Sequence, residues 1–248
     1  MSQKIFCFET TEAWVEGSVE QIVVRLRAAQ AARRQATLLL SGGSTPTPIY
    51  QALAKVGQVD WKNVQFFWGD ERCVPPDHPE SNFRLVLETL LEPLGIASDD
   101  PHVHRFPTEG APRDNAAMYE QNMRLFFSLP PGGVPRFDVV LLGMGVDGHT
   151  ASLFPESEAL DEQRHLAVAN PVPTLETMRL TVTFPVFSAA HSVLILVKGS
   201  EKSVRLAEIL TGSGKSYPIQ QVTPTQGDLL WLLDPSASSE LPKGLCEG

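Results

Sequence analysis

A chain of 248 residues, 42% hydrophobic and 20% charged, has the composition of an ordinary folded protein with enough length to bury a core, which sets aside disordered and fibrous classes. A formal net charge of −9 argues against non-specific binding of nucleic acid, because phosphate backbones require clustered Lys and Arg, and it means that an anionic substrate must be met by cations gathered locally. No apolar run reaches the length of a bilayer span, and the N-terminal stretch MSQKIFCFETTEAW lacks the basic start and apolar core of a signal peptide, so a cytoplasmic protein without membrane attachment is expected.

Residues 3–8 read as a first or edge strand, and Ser18 reads as the cap of a helix that carries Val19, Ile22, Val23 and Leu26 at helical spacing. Ala36 to Leu40 is the next apolar run and leads directly into SGGSTPTPIYQAL. Gly42 and Gly43 permit a tight turn with exposed N–H groups, Ser44 and Thr45 add hydroxyls, and Pro46 suits the first position of a helix. A strand, a Gly-Ser-Thr loop and a helix N-terminus make an anion site, although an ordinary capped turn has the same local pattern.

Asn63 to Trp68 forms a third strand, which ends in GDERCVPPDHPESN. Asp70, Glu71 and Arg72 crowd three charges there, and three prolines hold the following loop out of regular structure. Such a cluster is usually a solvated rim, but it stands at the same sheet edge as the SGGST loop. Ser81 and Asn82 precede a helix with Leu85, Leu87, Leu90 and Leu91, so either residue can cap that helix or reach the site. His102 and His104 alternate with Val103 in a weak strand and read as one solvated face, not as metal ligands. Asp114 to Phe127 is helical, and PPGGVP leads out of it.

Val139 to Leu142 is a short unbroken apolar run of the kind a strand buried on both faces requires, and GMGVDGHTASLFP follows it. Gly143, Gly145 and Gly148 let the backbone turn sharply near a ligand, and Asp147 and His149 place an acceptor beside a titratable imidazole. The alternative is a tight βα turn whose Asp and His only cap the next helix. Leu166–Ala169 and Leu180–Phe184 are further strand candidates, with Arg179 just before the second. Ser192 to Val197 is the last strong buried strand; Lys198, Gly199 and Ser200 turn it into a helix over Glu201–Leu210 that places Lys202 in its first turn. A cation is disfavoured at that end unless an anion is near, the alternative being a lysine paired with Glu201 or Glu208.

GSGKS at 212–216 mimics part of a phosphate-binding loop, but it follows a helix and lacks the required earlier glycine, so it reads as a turn. Asp228–Leu233 is a final strand and 235–248 a polar tail. Cys7, Cys73 and Cys246 are odd in number and far apart, which suggests neither a disulfide framework nor a zinc site. A single α/β domain spanning 1–248 is the simplest organisation.

The loops after Leu40, Trp68, Leu142 and Val197 each follow an apolar strand and carry unusual polar residues, and in a parallel sheet the carboxyl ends converge on one edge. SGGSTP, GDER with VPPDHPESN, GMGVDGHTASLFP, and Arg179 with downstream GSEKS resemble, in order, the signature blocks of the 6-phosphogluconolactonase family. The resemblance implies a Rossmann-like three-layer α/β sandwich with a mostly parallel sheet, similar to glucosamine-6-phosphate deaminase. It implies hydrolysis of 6-phosphoglucono-1,5-lactone to 6-phosphogluconate in the oxidative pentose phosphate pathway, without metal or organic cofactor. Carried onto this chain, Gly42, Gly43, Ser44, Thr45, Arg179 and Lys202 match the sugar-phosphate site and His149 the catalytic histidine, while Asp70 and Arg72 lie in the matching active-site loop. Asp147 would orient His149. The family pattern has an acidic residue where Val146 stands, which weakens any role for a second carboxylate. The expected partner is a small sugar-phosphate lactone, with no nucleic acid and no membrane, for a monomer or small homo-oligomer.

A related isomerase or deaminase would want an acidic residue where Phe154 stands and an aromatic in place of Arg72. A non-catalytic sugar-phosphate-binding regulator on the same fold would not need the DGHT run.

Overall fold

In the computed structural model, which describes residues 2–172, 176–212 and 215–246, the strands foretold by the apolar runs lie side by side. The elements in order are β1 (Ser2–Cys7), α1 (Thr11–Arg33), β2 (Ala36–Leu40), α2 (Thr47–Leu53), β3 (Val64–Trp68), β4 (Asp70–Arg72), α3 (Asn82–Val86) and β5 (Val103–His104). There follow α4 (Pro112–Phe126), β6 (Val139–Gly143), β7 (Ala167–Val172), β8 (Thr177–Val182), α5 (Phe184–Ala189), β9 (Ser192–Val197), α6 (Ser203–Thr211) and β10 (Asp228–Leu233). Seven strands form one sheet in the order β1-β10-β9-β6-β2-β3-β5, and each adjacent pair is parallel. Helices cover both faces. Every residue of β2, β3 and β9 is therefore buried, which is why these segments read as continuous apolar runs. Each fully buried Leu, Val or Phe contributes roughly 1.5–3 kcal/mol of transfer free energy.

The topology selects one place for a ligand. From β2 the sheet grows through β3 to β5, whereas from β6 it grows the other way through β9 and β10. The order reverses between neighbours β2 and β6, and a crevice opens at the carboxyl ends of strands where order reverses. The SGGST loop follows β2 and the GMGVDGH loop follows β6, so the two most glycine-rich loops meet there.

Several expectations need correction. The first helix starts at Thr11 with Thr10 as its cap, whose Oγ1 accepts from the N–H of Ala13; Ser18 lies fully buried inside the helix. Pro46 is the cap of α2, not its first residue. Leu180–Phe184 does not continue as one strand, since β8 ends at Val182 and Phe184 begins α5. Lys202 closes a 3-10 turn, Ser200–Lys202, and caps α6, which starts one residue later. His104 is half-buried and not simply part of a solvated face: its ring stacks on Phe67 at 4.2 Å and bonds Gln65. The GDER segment is not a loop rim, because Asp70–Arg72 is β4, the edge of a second, antiparallel sheet ordered β4-β8-β7.

Cys7 and Cys246 form a disulfide with Cα atoms 5.6 Å apart, against the expectation of no disulfide. The reason lies in the topology. Cys7 pairs in register with Leu233, the last residue of β10, so the tail leaves the sheet beside Cys7. It then folds back, with Ala237 buried and Leu241 and Leu245 against the core, so 235–248 is not simply a polar tail. Of the GSGKS turn, Ser213 and Gly214 lie outside the described residues, while Gly212 adopts the left-handed cap of α6. Among the described residues, no helix is long and apolar enough to cross a membrane.

Candidate active site

At the sheet's carboxyl edge lies a cavity of about 310 Å³. Gly42, Gly43, Ser44, Thr45, Asp70, Arg72, Asn82, His149 and Lys202 line it together with Val146, so segments far apart in sequence are brought to one space. Asp147 touches the site through His149. Arg179 does not line the cavity.

The first wall is the SGGST loop. Tyr50, fully buried on α2, fixes its start by donating its hydroxyl to the Ser41 carbonyl at 2.7 Å and accepting from the Ser41 N–H at 3.1 Å. Gly43 has φ +83°, where a side chain is strained, and a Cβ on Gly42 would fall 1.7 Å from Asn82 Oδ1. No described residue accepts a hydrogen bond from the N–H groups of Gly42, Gly43, Ser44 or Thr45, which leaves four donors at the cavity wall. Lys202 closes this end, its Nζ donating to Thr45 Oγ1 at 3.3 Å. Burial lowers its pKa, opposed by Glu201 and Asp234, and among the described residues it forms no ion pair. A partly desolvated ammonium beside unpaired N–H groups is an anion site.

The floor comes from β4. After Trp68 the chain leaves the large sheet at Gly69, whose carbonyl accepts from Val182 N, and delivers Asp70 and Glu71 into the interior. Asp70 is held by the Ser152 hydroxyl at 2.8 Å and by the Asn82 amide at 3.3 Å, both on buried side chains. Glu71 is 2% exposed and accepts from the N–H groups of Arg72, Asn82 and Phe83 and from the Ser81 hydroxyl. It thus staples the proline-rich loop to the start of α3. Burial raises its pKa, with the three backbone donors opposing. Ser81 caps α3, and it is Asn82 that reaches the site, with Oδ1 buried and unpartnered.

Arg72 lies opposite Arg179 in the β4–β8 register and donates to the Glu80 carbonyl. Burial, and next the Arg72 charge, lower the Arg179 pKa, so the two guanidinium groups share one field although only Arg72 reaches the cavity.

His149 ends a tightly wound loop. Gly145 N–H donates to the His149 carbonyl at 2.9 Å, Gly148 N–H to the Gly145 carbonyl at 3.0 Å, and the Thr150 hydroxyl to the Gly143 carbonyl at 2.9 Å. An ideal Cβ on Gly145 would lie 2.2 Å from the imidazole, so only glycine admits the ring there. Asp147 Oδ1 accepts from the His149 backbone N–H at 3.1 Å and meets Nδ1 at 2.6 Å, a bond that assigns the ring proton to Nδ1 and leaves Nε2 as the acceptor. Burial pushes the Asp147 carboxyl up, but hydrogen bonds and the charge of His149 outweigh it and hold the carboxyl below its usual range. Phe154 packs against the imidazole, with centroids 4.2 Å apart and the ring planes tilted by 33°. Val146 is 55% exposed and supplies no second carboxylate. Among the described residues, no group of three or more His, Cys, Asp or Glu is placed to hold a metal ion.

Sequence reasoning did not single out Ser152, Phe154 as a ring contact of His149, or Tyr50 as a loop anchor. Asn82 had a signal, since it closes the VPPDHPESN block.

The comparisons with known proteins point one way. Residues 9–231 match the family described as glucosamine-6-phosphate isomerases/6-phosphogluconolactonase. A 6-phosphogluconolactonase of Nostoc sp. is 42% identical over 233 residues, covering 92% of this chain and 94% of that protein. One from Synechocystis sp. is 40% identical, covering 92% and 93%. The crystal structure of 6-phosphogluconolactonase from Thermotoga maritima superposes with a TM-score of 0.82 at 30% identity, covering 94% of this chain and all of that one. With the match spanning most of the chain and the site lying where the sheet order reverses, the chain belongs to the glucosamine-6-phosphate isomerase/6-phosphogluconolactonase family.

Proposed function

We propose that the protein hydrolyses 6-phosphoglucono-1,5-lactone to 6-phosphogluconate, with His149 activating water. The observation that carries this is the His149 imidazole at the cavity wall, with Nδ1 committed to Asp147 and Nε2 without a partner among the described residues, in the cavity that Lys202 and the four N–H groups of the SGGST loop also line. The substrate phosphate occupies the Gly42–Thr45 and Lys202 end, and Arg179 adds positive potential from behind Arg72. Asp70 accepts from ring hydroxyls. Nε2 takes a proton from water as the water oxygen bonds to the lactone carbonyl carbon. The carbonyl pair moves onto oxygen, where Arg72 or backbone N–H groups stabilise the charge. Collapse restores the carbonyl and breaks the bond to the ring oxygen, which leaves with the proton from the imidazolium.

Two observations favour lactone hydrolysis over the family's other activity. Phe154, in ring contact with His149, offers no carboxylate to orient or relay through the imidazole, and Arg72 stands in the cavity. These residue roles use no metal or organic cofactor, and we place the enzyme in the cytoplasm as a monomer or small homo-oligomer of one domain. The test is to supply the lactone in situ from a dehydrogenase, follow its loss against the spontaneous rate, and in parallel assay ammonia release from glucosamine 6-phosphate. Acceleration of the first alone supports the reading; ammonia release alone replaces it with the deaminase.

A further inference from the structure

The loop that carries Asp147 and His149 is also gripped from outside, by residues the proposed chemistry does not use. Arg205 on α6 donates its Nε–H to the Val146 carbonyl at 3.2 Å. Its guanidinium lies over the Tyr217 ring, 4.5 Å from the centroid, and Nη1 also bonds the Tyr217 hydroxyl and Glu208. Tyr217, 7% exposed, donates its hydroxyl to Glu208 at 2.6 Å, and its ring would lie 2.8 Å from a Cβ on Gly148. The N–H of Ile219 donates to the Gly148 carbonyl at 3.1 Å. The carbonyls on either side of Asp147 are therefore both held by chain outside the loop.

Packing does not place the Asp147 side chain, which is 44% exposed. Among the described residues its hydrogen bonds run only to His149 and to its own backbone, so the local backbone decides where the carboxylate meets Nδ1. Val146, largely exposed, gives that backbone no apolar hold. A part-exposed Arg–Glu pair one turn apart is worth little by itself. What distinguishes Arg205 is its third contact, which ties that pair and the Tyr217 ring to the peptide next to Asp147.

We propose that Arg205, backed by Tyr217 and Glu208, is a positioning residue that sets the Asp147–His149 hydrogen bond by fixing the Val146 carbonyl. The inference rests on reading His149 as the base. A guanidinium can stack and bond in several directions at once, whereas an ammonium cannot, so lysine restores only part of the function.

The experiment compares the full chain with Arg205→Ala, Arg205→Lys and Tyr217→Phe, recording kcat and KM on the lactone and the downfield proton resonance of His149 Nδ1. Arg205→Ala is expected to lose roughly 10- to 100-fold in kcat, as for loss of an orienting outer partner, with KM little changed because Lys202 and Arg72 are untouched. Its Nδ1 resonance broadens or vanishes, Arg205→Lys recovers part of both signals, and Tyr217→Phe shows a smaller loss of kcat at constant KM. A Nδ1 resonance unchanged from wild type in Arg205→Ala overturns the proposal, as does a KM that rises as far as kcat falls; should Arg205→Ala not fold, an unaltered resonance and kcat in both Arg205→Lys and Tyr217→Phe does the same. Wild type inactive on the lactone, with the resonance still lost in Arg205→Ala, overturns the function and supports the anchor.

Discussion

Replacing Gly145 with Ala tests the geometry of the site with a single methyl group. Gly145 is not among the residues with positive φ, so its backbone accepts a Cβ without strain. The obstacle is the imidazole: the new carbon falls 2.2 Å from both Nδ1 and Cε1 of His149 and 2.9 Å from Asp147 Oδ1. Relief to ordinary contact at 3.4 Å requires a relative displacement of about 1.2 Å. The ring has little room to retreat, because Phe154 packs against it with centroids 4.2 Å apart. A misplacement near 1 Å costs about 10²-fold in rate, so kcat on the lactone should fall by about that factor while KM stays near wild type. Gly57→Ala is the control, since no atom lies within 4 Å of its Cβ. The assay is initial-rate lactone hydrolysis with thermal unfolding of both variants. A folded Gly145→Ala with kcat within about threefold of wild type would refute the idea that ring position limits the rate.

Lys202→Ala should raise KM by roughly tenfold or more with less effect on kcat, and Arg179→Ala should raise it less, because Arg179 acts from outside the cavity; unchanged KM in both removes them from phosphate binding. Reduction of Cys7–Cys246, or Cys7→Ser, should lower stability by about 2–5 kcal/mol, given a closed loop spanning a separation of 239 residues. Equal denaturant midpoints for the oxidised and reduced protein contradict this. The lowered pKa of Asp147 gives stability that is present above its unfolded value and lost as pH falls through the folded one. Solvent screening limits it to about 0.2–1 kcal/mol, so the melting-temperature gap between wild type and Asp147→Asn should be small at neutral pH and close below about pH 4. A gap that widens on acidification means the carboxyl is not held down.

Much of the architecture was legible because parallel strands buried on both faces leave continuous apolar runs. Ala36–Leu40, Val139–Leu142 and Ser192–Val197 betrayed the sheet, and the polar loops behind them betrayed its carboxyl edge. What remained hidden depended on distant partners. Asp70 and Glu71 look like a solvated rim until β8, Ser152 and the N–H groups of α3 surround them. The disulfide needed the knowledge that β1 and β10 are neighbours, which no spacing reveals. Ser18 invited the role of a cap because serine favours that place, yet tertiary burial overrides the preference. Arg179 is paired with Arg72 across β4 and β8, yet only Arg72 lines the cavity, a difference that no sequence spacing reveals.

The proposed chemistry stands or falls on whether His149 activates water at the lactone carbonyl. It is tested most directly by generating 6-phosphoglucono-1,5-lactone in situ and measuring its loss with wild type, with His149→Ala and without protein. Acceleration over the spontaneous rate is expected from wild type, with a loss of roughly 10²–10⁴-fold in turnover in folded His149→Ala. Wild-type turnover in that variant would contradict it.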